Sequence, residues 1–467
     1  MVTILIKAYQ GKFMKDYIIN IENEILDQYV NDQNPRPWIL AFSGGKDSTM
    51  VLQLVWNSVE KLPPSSRHRH IFVVCNNTLV ENPKILRFVK NQLELIKIAA
   101  SSQSMPITVA HTTPSLQDTF WVNLIGKGYP APNSIFRWCT DRLKIKPTTR
   151  YIQEKASLYG EVIILLGTRK EESNTRARSM KRYEVKGRRL SKHTLPNAYV
   201  YAPIKNLLAS QVWDYLMKHK SPWDSRIEDL LSIYTQSGDY ESSDLPFFYD
   251  KNTPPSGNSR FGCWVCTLVR EDKCMQGLIR SGEKWMEPLN ELRDFLAKTI
   301  NREDPNYEPE KYRMPVRRNF REGLGPYWPR WRKYILERLL RAEANIRKER
   351  PELDLITRQE LVTIQLIWHR DHIYEYDVSQ VLNEAYGKDM GFEDIGENVR
   401  TEKLILKKAC KRYESDYEII NNLLMAQKNR ILLVNRRGLQ KDIENILDEY
   451  LYQKFADVYR KSRDQEF

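Results

Sequence analysis

One hexapeptide limits the folds open to this chain more than any other feature. It is Ser43-Gly44-Gly45-Lys46-Asp47-Ser48, set between an apolar run and an amphipathic one. Before it, Trp38–Phe42 (WILAF) reads as a buried strand; after it, Val51, Leu54, Val55, Val59 and Leu62 recur at helical spacing. Two adjacent glycines allow a tight turn that aims several N–H groups at one spot, and the helix N-terminus behind them adds positive potential. Lys46 supplies a point charge, and Ser43 and Ser48 supply hydroxyls. Together these parts make a phosphate cradle. The plainer alternative is an ordinary strand-to-helix turn with glycines. The pattern G-x-x-x-x-G-K-[ST] does not fit, so the loop is not a Walker A motif.

The same alternation of strand and helix continues. Ile71–Cys75 (IFVVC) predicts a second strand, and Ile85, Leu86, Val89, Leu93 and Ile96 mark a second helix. Ile107–Ala110 is a short third strand, and Val162–Leu166 (VIILL) a fourth, ending at Gly167. This order predicts an α/β fold, a mostly parallel sheet with helices on both faces, whose ligands sit beyond the carboxyl ends of the strands. Residues 111–150 read as irregular, 181–193 as an exposed basic loop and 235–262 as a long irregular segment. From about Trp285 onward helical patterns dominate, interrupted by an Arg- and Trp-rich loop at 315–333. The expected domains are 1–250 for the sheet with an N-terminal helix, 251–284 for a cysteine segment and 285–467 for a helical domain.

Composition narrows the function classes. The 467 residues carry 73 Lys+Arg against 60 Asp+Glu, a formal charge of +13, which suits a polyanionic partner such as nucleic acid without proving one. No apolar run approaches the roughly 18 residues of a membrane span, and the N-terminus has no long apolar core or cleavage site of a secretory signal. A cytoplasmic protein with no membrane partner is expected. In such a chain clustered cysteines read as metal ligands or redox groups sooner than as structural disulfides.

Two further constellations carry chemistry. After VIILL comes Gly167-Thr168-Arg169-Lys170-Glu171-Glu172-Ser173, then Arg176; arginines just past a strand can bind phosphate oxygens bidentately, although a solvated charged loop is the common alternative. Cys263 and Cys266 form a C-x-x-C, Cys274 follows eight residues later, and Cys139 lies far upstream in FRWCTDRLKIKP. Four thiolates suit an iron–sulfur cluster, zinc or redox chemistry; the absence of a second C-x-x-C and the scattered histidines favour the cluster. Cys75, at a strand end, reads as a small core residue, and Cys410, in the lysine-rich KKACKRY, as either inert or a reactive thiol.

The string at 43–48 resembles the PP-loop of the ATP pyrophosphatases, and the element from Gly167 to Arg176 is similar to the G-x-R-x-x-E-S-x-x-R of the PAPS reductase branch. Over nearly its whole length the chain resembles the DndC family, the PP-loop sulfurtransferases of DNA phosphorothioation systems. The strings that carry this are PWILAFSGGKDSTMVLQLVW (37–56), TLVENP (78–83), FWVNLIGKGYPAP (120–132), FRWCTDRLKIKP (136–147), LLGTRKEES (165–173), SRFGCWVCTLVREDK (259–273), LGPYWPRWRKYILERLL and the RRGL at 436–439. The resemblance implies an enzyme that activates a DNA backbone phosphate with ATP and replaces a non-bridging oxygen by sulfur. It implies ATP held by Ser43, Gly44, Gly45, Lys46, Asp47, Ser48, Gly167, Arg169 and Arg176, with Lys46 and Asp47 acting in catalysis and Mg²⁺ near Asp47. It implies a [4Fe–4S] cluster on Cys139, Cys263 and Cys266, with either Cys274 as the fourth ligand or three-cysteine ligation and an open or serine-bound iron. The implied partners are DNA, a cysteine desulfurase as sulfur donor, and other Dnd proteins, an ATPase and a small DNA-binding subunit.

Two places depart from the family pattern. Ser256 stands where a cysteine is usual and Cys274 where a serine is usual; Asn76-Asn77 stands where an acidic residue is common. An assimilatory PAPS reductase is disfavoured, because no E-C-G-[IL]-H motif occurs. A PP-loop iron–sulfur tRNA thiolase and a non-catalytic nucleotide-binding scaffold are the alternatives. Arg317, Arg318, Arg330 and Arg332 are candidates for contacts to DNA phosphates, with the 181–193 loop a weaker one.

Overall fold

The computed structural model describes residues 2–133, 136–172, 174–185, 188–236, 262–301, 304, 307–318, 321–371, 373–390, 406–412, 416–432, 443, 444, 446–448 and 450. The chain divides into two compact units, Met1–Asn123 with Pro130–Tyr312 and Asn345–Leu353, and Leu124–Tyr129 with Arg313–Ala344 and Asp354–Phe467.

The first unit opens with helix α1 (Val2–Val30) and is built on a six-stranded sheet. The strands are β1 (Trp38–Ala41), β2 (Ile71–Asn76), β3 (Ile107–Thr112), β4 (Val162–Leu165), β5 (Ser191–Lys192) and β6 (Ala198–Tyr201), in the order β3-β2-β1-β4-β6-β5. All pairings are parallel except β5 with β6. Helices α2 (Lys46–Glu60), α3 (Pro83–Ser102), α4 (Lys146–Tyr159) and α5 (Asn174–Tyr183) lie between the strands, and α6 (Ala209–Lys218), α7 (Ile227–Gln236), α8 (Lys273–Arg280), α9 (Glu287–Lys298) and the single turn α10 (Pro309–Tyr312) follow. This is the mostly parallel α/β fold that the alternation predicts.

Side chains alternate across a strand, so Trp38 and Ile39 face opposite ways, and both are buried. The Tyr29 ring of α1 meets Trp38 edge-on at 5.4 Å. On the other face Ile39, Phe72, Val74, Val162 and Ile164 cluster with Ile152 and Ala156 of α4. The central strands are therefore covered on both sides, which is why they read as continuous apolar runs. Strand β3, at the sheet edge, is only partly covered.

In the second unit, β7 (Arg313–Arg318) and β8 (Arg321–Tyr327) form an antiparallel hairpin, followed by α11 (Pro329–Ile346), α12 (Arg358–Arg370), α13 (Val378–Tyr386) and α14 (Tyr417–Leu432). Thr357 and Glu360 form a reciprocal capping box at the start of α12. Arg332 is buried and donates to Tyr327 O, Gly126 O and the Asp371 carboxylate.

Four expectations need correction. The 111–150 segment is not irregular throughout: it holds π-helical turns at Val122–Gly126 and Thr140–Ile145 and the start of α4. The basic 181–193 stretch is not one exposed loop, because α5 runs to Tyr183 and β5 pairs with β6. The 315–333 stretch is a hairpin leading into α11 rather than a loop. Strand β6, which pairs with β4, has no counterpart among the strands that the apolar pattern predicts. No helix among the described residues is long and apolar enough to cross a membrane.

Candidate active site

The chain leaves β1 for β2 and β3 on one side, then returns to place β4 on the other side of β1. The carboxyl ends of β1 and β4 therefore flank a topological switch point, where a parallel sheet opens a crevice. Both phosphate-like motifs emerge there: Phe42–Gly45 leaves β1 and Leu166–Arg169 leaves β4.

The first motif forms a closed turn. Gly44 has φ +75°, in the left-handed region, and a Cβ added there would sit 2.6 Å from Val89 Cγ2. Conformation and packing both demand glycine. Gly45 is the N-cap of α2 without a capping side chain, so the helix N-terminus is open to a ligand. Ser48 Oγ donates to Gly45 O at 3.0 Å and accepts from Ser43 N at 3.2 Å, which locks the turn. Lys46 is buried, with Nζ 3.6 Å from Asp47 Oδ2 and 5.5 Å from the Tyr234 ring centroid; its N–H donates to the Tyr234 hydroxyl at 3.3 Å.

The second motif packs directly on the first. A Cβ on Gly167 would meet Asp47 C and O at 2.9 Å, so this glycine lets two backbones touch. Arg169 is 3% exposed; its Nε donates to Asp47 Oδ1 at 2.6 Å and one terminal nitrogen donates to Glu171 Oε2 at 2.9 Å. Glu171 also accepts from Ala209 N at the start of α6, and Glu172 accepts from Arg169 N. Arg169 thus braces the two turns against each other while it lines the cavity between them. The backbone of Arg176 lies on α5, and its side chain falls outside the described residues.

These turns line a cavity of about 870 Å³, within the range of small-molecule sites. Ser43, Gly45, Lys46, Asp47, Ser48, Gly167 and Arg169 all face it. Across the cavity stand Cys75, Asn76, Asn77, Glu81 and Lys144. This far wall leads to the cysteines.

The loop after β2 organises that wall. Asn76 donates to Leu143 O at 3.2 Å and accepts from Thr112 Oγ1 at 3.0 Å, tying the π-helical turn behind Cys139 to the sheet. Asn77 Oδ1 accepts from Leu79 N, where Leu79 holds φ +66°. The two asparagines that replace the expected acidic residue therefore shape the backbone. Asn82 caps α3 by accepting from Lys84 N and Ile85 N. Glu81 and Cys263 form an antiparallel bridge, with Trp264 N donating to Val80 O at 3.0 Å. TLVENP and the C-x-x-C, far apart in sequence, are one short ladder.

The remaining supports are aromatic and cationic. Trp121 and Trp264 rings pack at 5.8 Å, and Phe120 stacks on Trp138 at 5.3 Å. Arg293 of α9 is buried and donates to Cys266 O, Arg270 O and Val269 O, collecting three carbonyls of the C-x-x-C segment.

Cys266 lies near enough to Cys139 and to Cys263 to raise both thiols. Burial pushes the Cys263 thiol up to about 12, and Glu81 pushes the same way against Lys144 and the Thr78 hydroxyl at 3.3 Å. Burial likewise raises Cys139, and raises Cys75 to about 11. Burial opposes the charge on Lys144, but Cys263, Glu81, Cys266 and Cys139 outweigh it, and its pKa stands above the usual value. Lys144 opens to solvent in a concave wall, so it is accessible while protein surrounds it. The three thiols suit thiolate ligation in kind. Among the described residues no group of three or more His, Cys, Asp or Glu closes to metal-holding distance. Cys274 is buried on α8, and Ser256 lies outside the described residues. Cys410 is buried, which removes the reactive-thiol option at that position.

Residues 37–268 match the family model of the phosphoadenosine phosphosulfate reductase domain. The chain carries a PAPS reductase-like PP-loop domain. That domain spans every motif described around the cavity. An uncharacterized protein of Methanocaldococcus jannaschii, MJ0066, is 24% identical over 297 residues, 62% of this chain and 48% of its own length. The chain thus spans about half the length of that curated relative. Among solved structures, phosphoadenylyl-sulfate reductase from Candida auris is 13% identical at a TM-score of 0.28, covering 42% of this chain and 78% of its own. The U34-tRNA thiolase NcsA from Methanococcus maripaludis, with its [4Fe-4S] cluster, is 13% identical at a TM-score of 0.28, covering 49% of this chain and 76% of its own.

Sequence reasoning missed Glu81, Lys144, Glu171, Tyr234 and Arg293. TLVENP and FRWCTDRLKIKP already contain Glu81 and Lys144, but nothing in the sequence shows that the two strings meet at one cavity.

Proposed function

We propose that the protein is an ATP-dependent sulfurtransferase that activates a DNA backbone phosphate and replaces a non-bridging oxygen by sulfur. The observation that carries this reading is one cavity with a phosphate-binding turn on one wall, and Glu81 and Lys144, which adjoin three cysteines, on the other. The resemblance of nearly the whole chain to the phosphorothioation sulfurtransferases supplies the acceptor.

The chain's own groups fit the task. The N-terminus of α2, Lys46 and the serine hydroxyls would take the pyrophosphate end of ATP, where developing charge needs preorganised donors. Asp47, fixed by Arg169, would face the Mg²⁺ that accompanies ATP. Adenylation turns a poor leaving oxygen into AMP. Cys139, Cys263 and Cys266 would hold a [4Fe–4S] cluster, which would supply a soft, sulfur-binding centre, and Lys144 would offset the negative charge of those thiolates. A cysteine desulfurase would furnish the sulfur, and the other Dnd proteins would present the DNA.

The test is incorporation of radioactive sulfur from labelled cysteine into duplex DNA by anaerobically purified protein with a desulfurase, the Dnd partners and ATP. Label resistant to reducing agents is expected with the native chain and absent with Lys46→Ala. Equal labelling by both would favour a non-catalytic scaffold. Labelling of tRNA instead of DNA would move the acceptor to RNA.

A further inference from the structure

One tyrosine engages two donors of Lys46 at once, the backbone N–H and the ammonium. Tyr234, on α7, is 6% exposed and lines the cavity. Its hydroxyl accepts from Lys46 N at 3.3 Å, and the Lys46 ammonium stands 5.5 Å from the centre of its ring. Trp213 of α6 packs edge-on against the same ring at 5.0 Å.

Lys46 is the first residue of α2, so its N–H has no acceptor within the helix. Neighbouring N–H groups are satisfied by the turn itself. Ser43 N donates to Ser48 Oγ at 3.2 Å, Gly45 N to Ser43 Oγ at 3.4 Å and Thr49 N to Gly45 O at 3.0 Å. The acceptor for Lys46 N comes instead from another helix, 188 residues further along the chain. The arginines that the sequence offers for nucleic-acid phosphates belong to the second unit. Of these, Arg332 is buried and donates to Tyr327 O, Gly126 O and Asp371, and the side chains of Arg317 and Arg318 lie outside the described residues.

A buried N–H needs a partner whether or not a ligand is present. The phenol oxygen is a neutral acceptor, and 3.3 Å is beyond the usual range of about 2.7–3.2 Å for such a bond. A phosphate oxygen carries charge, and its hydrogen bonds are shorter and roughly twice as strong. The ring face likewise holds the ammonium by a quadrupole rather than by a net charge. One N–H cannot point at both acceptors, so an anion seated on the N-terminus of α2 displaces the hydroxyl.

We propose that Tyr234 is a neutral stand-in for phosphate, which occupies the first N–H of α2 in the empty site and yields it to the pyrophosphate end of ATP. The turn then keeps its binding shape without a ligand, and every entering anion has the hydroxyl to displace. Tyr234 thereby sets the affinity of the site from below. That role rests on the reading of the Ser43–Ser48 turn as the pyrophosphate seat. Two other roles behave differently. A tyrosine that donates its own proton to bound phosphate strengthens binding, and one that only packs beside the loop leaves binding alone.

Tyr234→Phe removes the hydroxyl and keeps the ring against Trp213 and Lys46. Titration calorimetry of the full chain with pyrophosphate alone, and with ATP, compares it with the native protein. The variant is expected to bind both roughly two- to twelvefold more tightly, the equivalent of one ordinary hydrogen bond made only in the empty state. Its melting temperature without ligand is expected to lie below the native value, and the gap to close at saturating pyrophosphate. Equal or weaker binding by Tyr234→Phe overturns the proposal, as does a gap that persists at saturation. If the native chain still binds both ligands and Lys46→Ala binds neither, those results leave the pyrophosphate seat standing. A native chain that binds neither pyrophosphate nor ATP removes the seat and the stand-in together.

Discussion

The Arg169 guanidinium donates to the Asp47 carboxylate at 2.6 Å, joining the turn after β4 to the first turn of α2. Residues 122 apart become one wall of the cavity. Replacing Arg169 by Met strips Asp47 and Glu171 of their buried cation. The expected cost is about 3 kcal/mol, because breaking one side of a buried pair leaves charge uncompensated. Urea unfolding of Arg169→Met checks the stability, and titration with ATP checks the accompanying loss of nucleotide affinity. Arg169→Lys should rescue little, since one ammonium cannot serve both carboxylates in the same geometry.

Gly44 carries two constraints that can be separated. Gly44→Ala meets Val89 and also places a Cβ in the left-handed region. The expected loss is about 2–3 kcal/mol, of which the conformational part is roughly 1–2. Adding Val89→Ala removes the clash but not the φ penalty, so the pair should show recovery relative to the sum of the two single changes. Thermal melts of the four proteins in the cycle decide this.

Arg293 supports the C-x-x-C segment from beneath. Arg293→Met leaves the carbonyls of Cys266, Val269 and Arg270 without their donor. Each orphaned buried acceptor costs about 1–3 kcal/mol. The expected result is a destabilised protein with reduced iron content after anaerobic purification, read by unfolding and by iron assay.

The cysteines give a pH dependence in metal-free protein. A thiol raised to about 12 in the fold, as Cys263 is, ionises near 8.5–9 once unfolded. The folded state then binds the proton more tightly, so its stabilising contribution is complete below the unfolded value. It is lost as pH rises from there through about 12. Alkylation of Cys263 at pH 8 should run roughly a thousandfold slower than that of a free thiol, since only the thiolate reacts. Mass spectrometry of pulse-labelled protein measures the rate.

Parts of the fold that bury continuous apolar runs were legible. WILAF, IFVVC and VIILL declare themselves because both faces of those strands are covered, and the glycine turn after WILAF stands out because few other residues tolerate it. Strand β6 hid because AYVY is short and follows a basic stretch, although it pairs with β4 along its whole length. Helix α4 hid because it buries only Pro147, Ile152 and Ala156 among polar neighbours. The β7–β8 hairpin hid behind arginines and prolines that read as loop. In the site, the glycine turn and Arg169 were visible as motifs, whereas the bridge between Glu81 and Cys263 is a long-range pairing with no local signature.

Chromatography of the nucleotide products measures the central claim most directly. The native protein, supplied with ATP, Mg²⁺, duplex DNA and the sulfur-donating partners, should release AMP and pyrophosphate in step with sulfur incorporation, and Lys46→Ala should release neither. ADP and phosphate as products, or AMP formed equally well by Lys46→Ala, would contradict an α–β cleavage at the Ser43–Ser48 turn.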